Sequence, residues 1–241
     1  MTIEGKNAIL ESIESGIKIK KIYKLTNLKN DSMNKTILDL KKDGTKIIEL
    51  DRNELDRISQ TKNHKGIIAE VDDYKYSTLD DIIQFAKSKN ENFFILILDE
   101  IEDPRNLGAI IRSAYAFGVH GIIIKDKNSA DITATVINTS AGATSHIKIV
   151  KVINISKTIE YLKKENIWFY EADMDGESIY DTKFDGGICV VLGNEGRGVS
   201  RLVSEHCDFK IKIPMKTKIN SLNVSVASGI ILSEINRQRK V

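Results

Sequence analysis

The feature that most constrains this chain is a series of apolar runs in its last two thirds, at residues 93–98, 121–124, 167–170, 188–192 and 209–213. The last is interrupted by Lys210 and Lys212, and the first four are apolar almost without interruption. That is the pattern of parallel strands buried on both faces; a sheet with one wet face would alternate. Between the runs, residues 104–117 and 156–165 carry helical spacing, and residues 226–237 close the chain as a helix. Strands alternating with helices predict an α/β domain on a parallel sheet. With 241 residues, 41% of them hydrophobic, the chain can bury such a core and a second, smaller one.

The front of the chain predicts that smaller unit. Ala8, Ile9 and Ile13 space like one helical face, residues 17–25 alternate like a strand, and residues 35–42 return to helical spacing. Short strands are expected at residues 47–50 and 67–71. Residues 1–72 therefore read as a small α/β domain, 73–90 as a linker with a docking helix around residues 79–85, and 91–241 as the main domain. The first 72 residues hold 14 Lys/Arg and 12 Asp/Glu, and the remainder 22 of each, so no bulk charge announces a partner. Lys18, Lys20, Lys21 and Lys24 cluster locally; by period-two geometry Lys18, Lys20 and Lys24 share a face, which suits either RNA phosphates or a lysine-guarded edge strand.

Cys189 and Cys207 form no metal or redox motif, and Cys189 sits in an apolar run, which predicts a buried thiol. The first residues lack an apolar signal region and no apolar run reaches about twenty residues, so a cytoplasmic protein without membrane contact is expected.

Three late segments bear the marks of a ligand site. Gly193-Asn194-Glu195-Gly196-Arg197-Gly198 follows a strand, Ile213-Pro214-Met215 ends another, and Ser221-Leu222-Asn223 opens a helix. The glycine order matches neither a Walker loop nor the dinucleotide fingerprint, which disfavours a nicotinamide cofactor. Stiff loops at strand ends, walled by Ile213, Met215 and Leu222, suit an adenosine. Upstream, Asp103 with Pro104 predicts a helix start and Gly118 its stop. On that helix Leu107, Ile110, Ile111 and Ala114 face the core, while Arg112 lies about 140° from Leu107 and points outward. Asn106 does not share a face with Arg112.

These segments, in this order, resemble the signature motifs of SpoU-type (TrmH-like) RNA ribose 2′-O-methyltransferases: Asn106 to Arg112, the Gly193 loop, and Ile213-Pro-Met with Ser221 to Ala227. Thr139-Ser140-Ala141-Gly142-Ala143 is similar as well. Glu4 to Ile9 and His64 to Ala69 resemble the substrate-binding domain of the branch that methylates a guanosine of 23S rRNA. The resemblance implies a deep trefoil knot, a homodimer with a shared active site, S-adenosylmethionine as cofactor and RNA as partner, with no metal. It implies cofactor binding by Gly193, Ile213, Met215, Leu222 and Thr139, and a catalytic region of Asn106, Arg112, Glu195, Ser221 and Asn223. Arg112 is the base the family implies, yet guanidinium normally stays protonated, so orienting a hydroxyl or phosphate suits it better. Thr217, where the family has glycine, and Ser145-His146, where it has an acidic residue, depart from the pattern. Rival expectations are a tRNA or antibiotic-resistance rRNA substrate, a non-catalytic RNA-binding paralogue, and a nucleotide-dependent enzyme of doubly wound fold.

Overall fold

The computed structural model describes residues 1–14, 17–28, 31–59, 62, 64–216 and 221–239. In chain order the elements begin with β1 (Thr2–Glu4), α1 (Lys6–Glu14), β2 (Ile19–Leu25), α2 (Asp31–Lys42), β3 (Lys46–Leu50), α3 (Arg52–Ile58) and β4 (Ile67–Val71). Next come α4 (Leu79–Lys89), β5 (Phe94–Leu98), α5 (Pro104–Ala116), β6 (Gly121–Lys125), α6 (Ala134–Thr139), β7 (Lys148–Val152) and α7 (Ile155–Lys163). The chain closes with β8 (Ile167–Ser178), β9 (Gly187–Leu192), α8 (Arg201–Ser204), β10 (Phe209–Lys212) and α9 (Val224–Arg239). Two units form: residues 1–75 with 132–145, and residues 76–131 with 146–241.

In the first unit the strand order is β1-β4-β2-β3, with β2 and β3 parallel and the other pairs antiparallel. Ile3, Ile9, Ile22, Met33, Ile67 and Val71 form its core. α3 lacks an apolar stripe and is started instead by a capping box, Asp51 accepting from the Glu54 backbone while Glu54 accepts from Asp51. The lysine cluster is not on an edge, because β2 lies inside the sheet. A register shift between Ile19 and Lys21 also interrupts the alternation behind the shared lysine face. Lys20 pairs with Asp72 at 2.5 Å, Lys21 with Glu70 at 3.1 Å and Lys24 with Glu49 at 2.7 Å. These three charges are answered within the unit, which weakens the phosphate reading for them.

The second unit is a six-stranded sheet in the order β10-β8-β9-β5-β6-β7, parallel throughout. Every residue of β5 and β9 is buried, as uninterrupted apolar runs require. At roughly 1.5–3 kcal/mol per buried aliphatic side chain, these central strands dominate the unit's stability. α5 starts where Asp103 accepts from the Arg105 backbone at 2.7 Å with Pro104 in the first turn, and Gly118, at φ +77°, lies just beyond its end. α5 packs against α9.

β8 is much longer than its apolar start. Lys210 of β10 pairs with Glu171, but the next residue, Ile211, pairs with Glu177, so residues 172–176 leave the ladder. Gly176 permits this: a Cβ there would lie 2.4 Å from the Ile211 nitrogen. Among the described residues no helix is long and apolar enough to cross a membrane.

Candidate functional site

The carboxyl ends of β9 and β10 and the middle of β8 converge on a cavity of about 420 Å³. Parallel strands all end on the same side of a sheet, so loops of distant sequence meet there. Gly193, Glu195, Ile213, Met215, Ser221 and Leu222 line it, as do residues 171–174 from the β8 excursion.

The glycine loop is held shut by its own backbone. Asn194 N donates to Gly198 O at 3.0 Å and Gly198 N to Asn194 O at 2.8 Å. Asn194 Oδ1 accepts from Gly196 N at 2.9 Å while its Nδ2 donates to Glu100 O at 3.1 Å. Closure brings Gly198 against Gly193, where a Cβ would sit 2.0 Å from the Gly198 carbonyl carbon. Only glycine fits there. The loop is tied sideways too: Ser200 N donates to Asp99 Oδ2 at 2.8 Å, and Arg197 lies 3.4 Å from Glu100 and 3.6 Å from Glu102. Lys125 pairs with Glu100 at 2.7 Å, and that carboxyl is held below its usual range chiefly by this bond.

Three side chains from three segments close a triangle beside the cavity. Asn106 Nδ2 donates to Glu195 Oε1 at 2.6 Å, and Asn223 Nδ2 donates to the same oxygen at 3.1 Å and to Asn106 Oδ1 at 3.1 Å. Asn223 is oriented by the helix it starts, since its Oδ1 accepts from Ser225 N at 3.0 Å. Asn223, not Ser221, caps α9. Ser221 is exposed on the cavity rim.

Arg112 is exposed on α5 and outside the cavity lining, as its angular position predicts. The cavity is built from the second unit alone and Thr139 is not part of its lining; Thr139 folds with the first unit, where its hydroxyl donates to Thr135 O at 2.8 Å. The structure thus gathers Gly193, Glu195, Ile213, Met215, Ser221 and Leu222 at one cavity with Asn106 and Asn223 beside it, and Arg112 is not in that lining. Residues 171–174 were missed, because a polar stretch that leaves its ladder has no periodic signature. Of the departures from the motif pattern, Thr217 lies outside the described residues, Ser145 ends a short 3₁₀ turn, and His146 stacks on Tyr115 at 5.3 Å.

The lining mixes apolar side chains such as Leu192, Ile213, Met215 and Leu222 with the loop of residues 193–198 and with charged groups, the carboxylates Glu171, Asp173 and Glu195 and the cations Lys212 and Arg197, the last paired with Glu100. Such a donor set fits an adenosine carrying a compact charged tail and offers little to a polyphosphate. Residues 93–233 match the SpoU rRNA methylase family, and residues 2–77 match the model described as RNA 2′-O ribose methyltransferase substrate binding. A Bacillus subtilis (strain 168) protein assigned to the TrmH family of tRNA/rRNA methyltransferases is 41% identical, over 98% of this chain and 94% of its own. The AdoMet complex of the SpoU methyltransferase AviRb from Streptomyces viridochromogenes superposes with a TM-score of 0.83 at 24% identity, covering 100% of this chain and 90% of that one. An AdoMet-bound rRNA methyltransferase from Sinorhizobium meliloti gives 0.77 at 21% identity, over 98% and 86%.

Proposed function

This chain belongs to the SpoU rRNA methylase family, and we propose that it methylates the 2′-hydroxyl of a ribose in RNA, using S-adenosylmethionine, with a guanosine of 23S rRNA as substrate. The observation that carries this reading is the Asn106–Glu195–Asn223 triangle beside a cavity walled by Ile213, Met215 and Leu222 and by the closed Gly193 loop. The rRNA assignment draws on the match of residues 93–233 to the SpoU rRNA methylase family, and the ribose assignment on the front unit's match to a ribose methyltransferase substrate-binding model. Such a substrate puts the protein's work in the cytoplasm.

Backbone groups of Gly193, Ile213 and Leu222 hold the cofactor, and Met215 supplies an apolar wall. When bound, S-adenosylmethionine supplies a methyl group already activated by its sulfonium charge. The protein's part is alignment and proton handling. Glu195, fixed by two amide donors, is a negative group placed at the cavity mouth, where it favours a cation or accepts from a hydroxyl. Ser221 adds a hydroxyl on the rim. Arg112 orients the attacking ribose or its phosphate through paired hydrogen bonds.

Asn106 and Arg112 lie about 120° apart around α5, so one subunit does not aim both at one ribose. A homodimer through the second unit resolves this by letting Arg112 serve a second copy's cavity. A groove along α5 and α9, lined by Ser113, Phe117, Tyr180, Val226 and Ile230, supports that assembly. Its rim exposes Tyr180 by 58% and Val226 by 51%, apolar area that a second copy would cover.

The test is methyl transfer from labelled S-adenosylmethionine to total RNA of a strain lacking the protein, followed by mapping. A single ribose-methylated guanosine in 23S rRNA is expected. Label on tRNA, or on a base, overturns the substrate or the chemistry, and failure to bind the cofactor by calorimetry overturns the enzyme reading.

A further inference from the structure

Helix α5 carries a second exposed arginine, Arg105, seven positions before Arg112. Seven residues bring a helix round to within about 20° of the same direction and about 10.5 Å further along its axis. Ala109 and Ala116 complete the same stripe, so the helix position between the two arginines carries only a methyl group. Asn106 lies on a different face.

The residues that precede Arg105 are acidic, and apart from one buried, unpartnered oxygen of Asp99 their carboxylates are engaged elsewhere. Asp99 accepts from Ser200 N at 2.8 Å, Glu100 pairs with Lys125 at 2.7 Å, Glu102 lies 3.6 Å from Arg197, and Asp103 caps the helix by accepting from the Arg105 backbone at 2.7 Å. Among the described residues none of these carboxylates forms an ion pair with the Arg105 guanidinium. A cation in the first turn of a helix also opposes the helix dipole. Arg105 therefore adds nothing visible to the fold.

We propose that Arg105 binds a backbone phosphate of the substrate RNA and acts with Arg112 as a two-cation track that sets where the strand lies on α5. Arg112 addresses the reacting nucleotide and Arg105 a phosphate further along the strand. The inference rests on the RNA-methylation reading above and names a positioning residue for it.

The test measures binding of a fluorescein-labelled, single-stranded RNA of mixed sequence by anisotropy across a salt series. Arg105→Ala is expected to weaken binding roughly tenfold at low salt, as for a lost hydrogen bond to a charged group. The slope of log affinity against log salt should become shallower by about 0.7, the share of one phosphate on a single strand. Arg105→Gln, which keeps the length but not the charge, should show the same loss, and Arg105→Lys should keep the slope. Melting temperature and cofactor affinity by calorimetry should match wild type in each variant. Wild-type affinity and slope in Arg105→Ala, or absence of RNA binding by the wild-type protein, overturns the proposal. Normal RNA binding without ribose methylation would instead defeat the proposed reaction and leave the salt slope to judge Arg105.

Discussion

Asn106 Nδ2 and Glu195 Oε1 are 2.6 Å apart although 89 positions separate them in the chain. Asn223 shares the same carboxylate oxygen at 3.1 Å. All three side chains are partly or well exposed, so the junction contributes little to folding and its value is positional. Glu195→Ala is expected to keep the melting temperature within a few degrees and to lower methyl transfer by about a hundredfold, the scale of a misplaced reacting group. Single-turnover methylation with a parallel melt checks both, and unchanged turnover would remove Glu195 from the mechanism.

Gly193 and Gly196 sit in one loop but should respond oppositely to alanine. At Gly193 the added carbon meets the Gly198 backbone at 2.0 Å, and backbone cannot rotate away as a flexible side chain could. At Gly196 the nearest atom is Asn194 Oδ1 at 3.6 Å, an ordinary contact. Gly193→Ala should abolish cofactor binding by calorimetry, whereas Gly196→Ala should leave it within about threefold, since surface changes of this kind usually cost under 0.5 kcal/mol. Equal effects from the two substitutions would contradict the closed-loop geometry.

Arg112 is expected to act through its planar fork and not through charge alone. Arg112→Lys keeps the charge but loses the paired donors, so turnover should fall more than tenfold, consistent with two charge-assisted bonds reduced to one. Cofactor affinity should not change, because in the proposed reaction Arg112 contacts the ribose or its phosphate while Gly193, Ile213 and Leu222 hold the cofactor. Near-full turnover in the lysine variant would reduce Arg112 to a surface charge.

Much of this architecture is legible in the sequence, and the gaps have physical causes. β5 and β9 announce themselves because strands buried on both faces must be apolar at every position. α5 is bounded by residues whose backbone chemistry admits few alternatives, Asp103 with Pro104 at one end and Gly118 at the other. β7 hides because Lys148 and Lys151 break its apolar run, and the far part of β8 because its residues leave the ladder at Glu171 and rejoin at Glu177. The motif residues are recognisable one by one. Their meeting is not, since it joins side chains 89 and 117 positions apart, one on α5, one in the loop after β9 and one at the start of α9.

His120 predicts a pH dependence with a definite sign. It is 3% exposed, its Nδ1 accepts from Phe94 N at 3.0 Å, and its Nε2 lies 3.0 Å from a Glu91 oxygen. The first bond requires Nδ1 unprotonated, so Nε2 carries the proton and donates to Glu91. Burial lowers the His120 pKa; Glu91 opposes this, while Arg239 and Lys89 add to it. The folded state therefore binds its proton less readily than the unfolded chain, whose histidine titrates near about 6.5. Between the folded value and about 6.5 the unfolded state holds more protons, so stability rises with pH there and levels off above it. Carboxylates lowered by their partners, such as Asp56 beside His64, lose their contribution only at more acidic pH. The denaturation midpoint should accordingly fall as pH drops from about 7 toward about 5.5, by an amount that His120→Gln removes. Glutamine offers Phe94 N an acceptor without titrating. The check is a pair of denaturant titrations across that range, and an undiminished slope in the variant would assign the effect to another group.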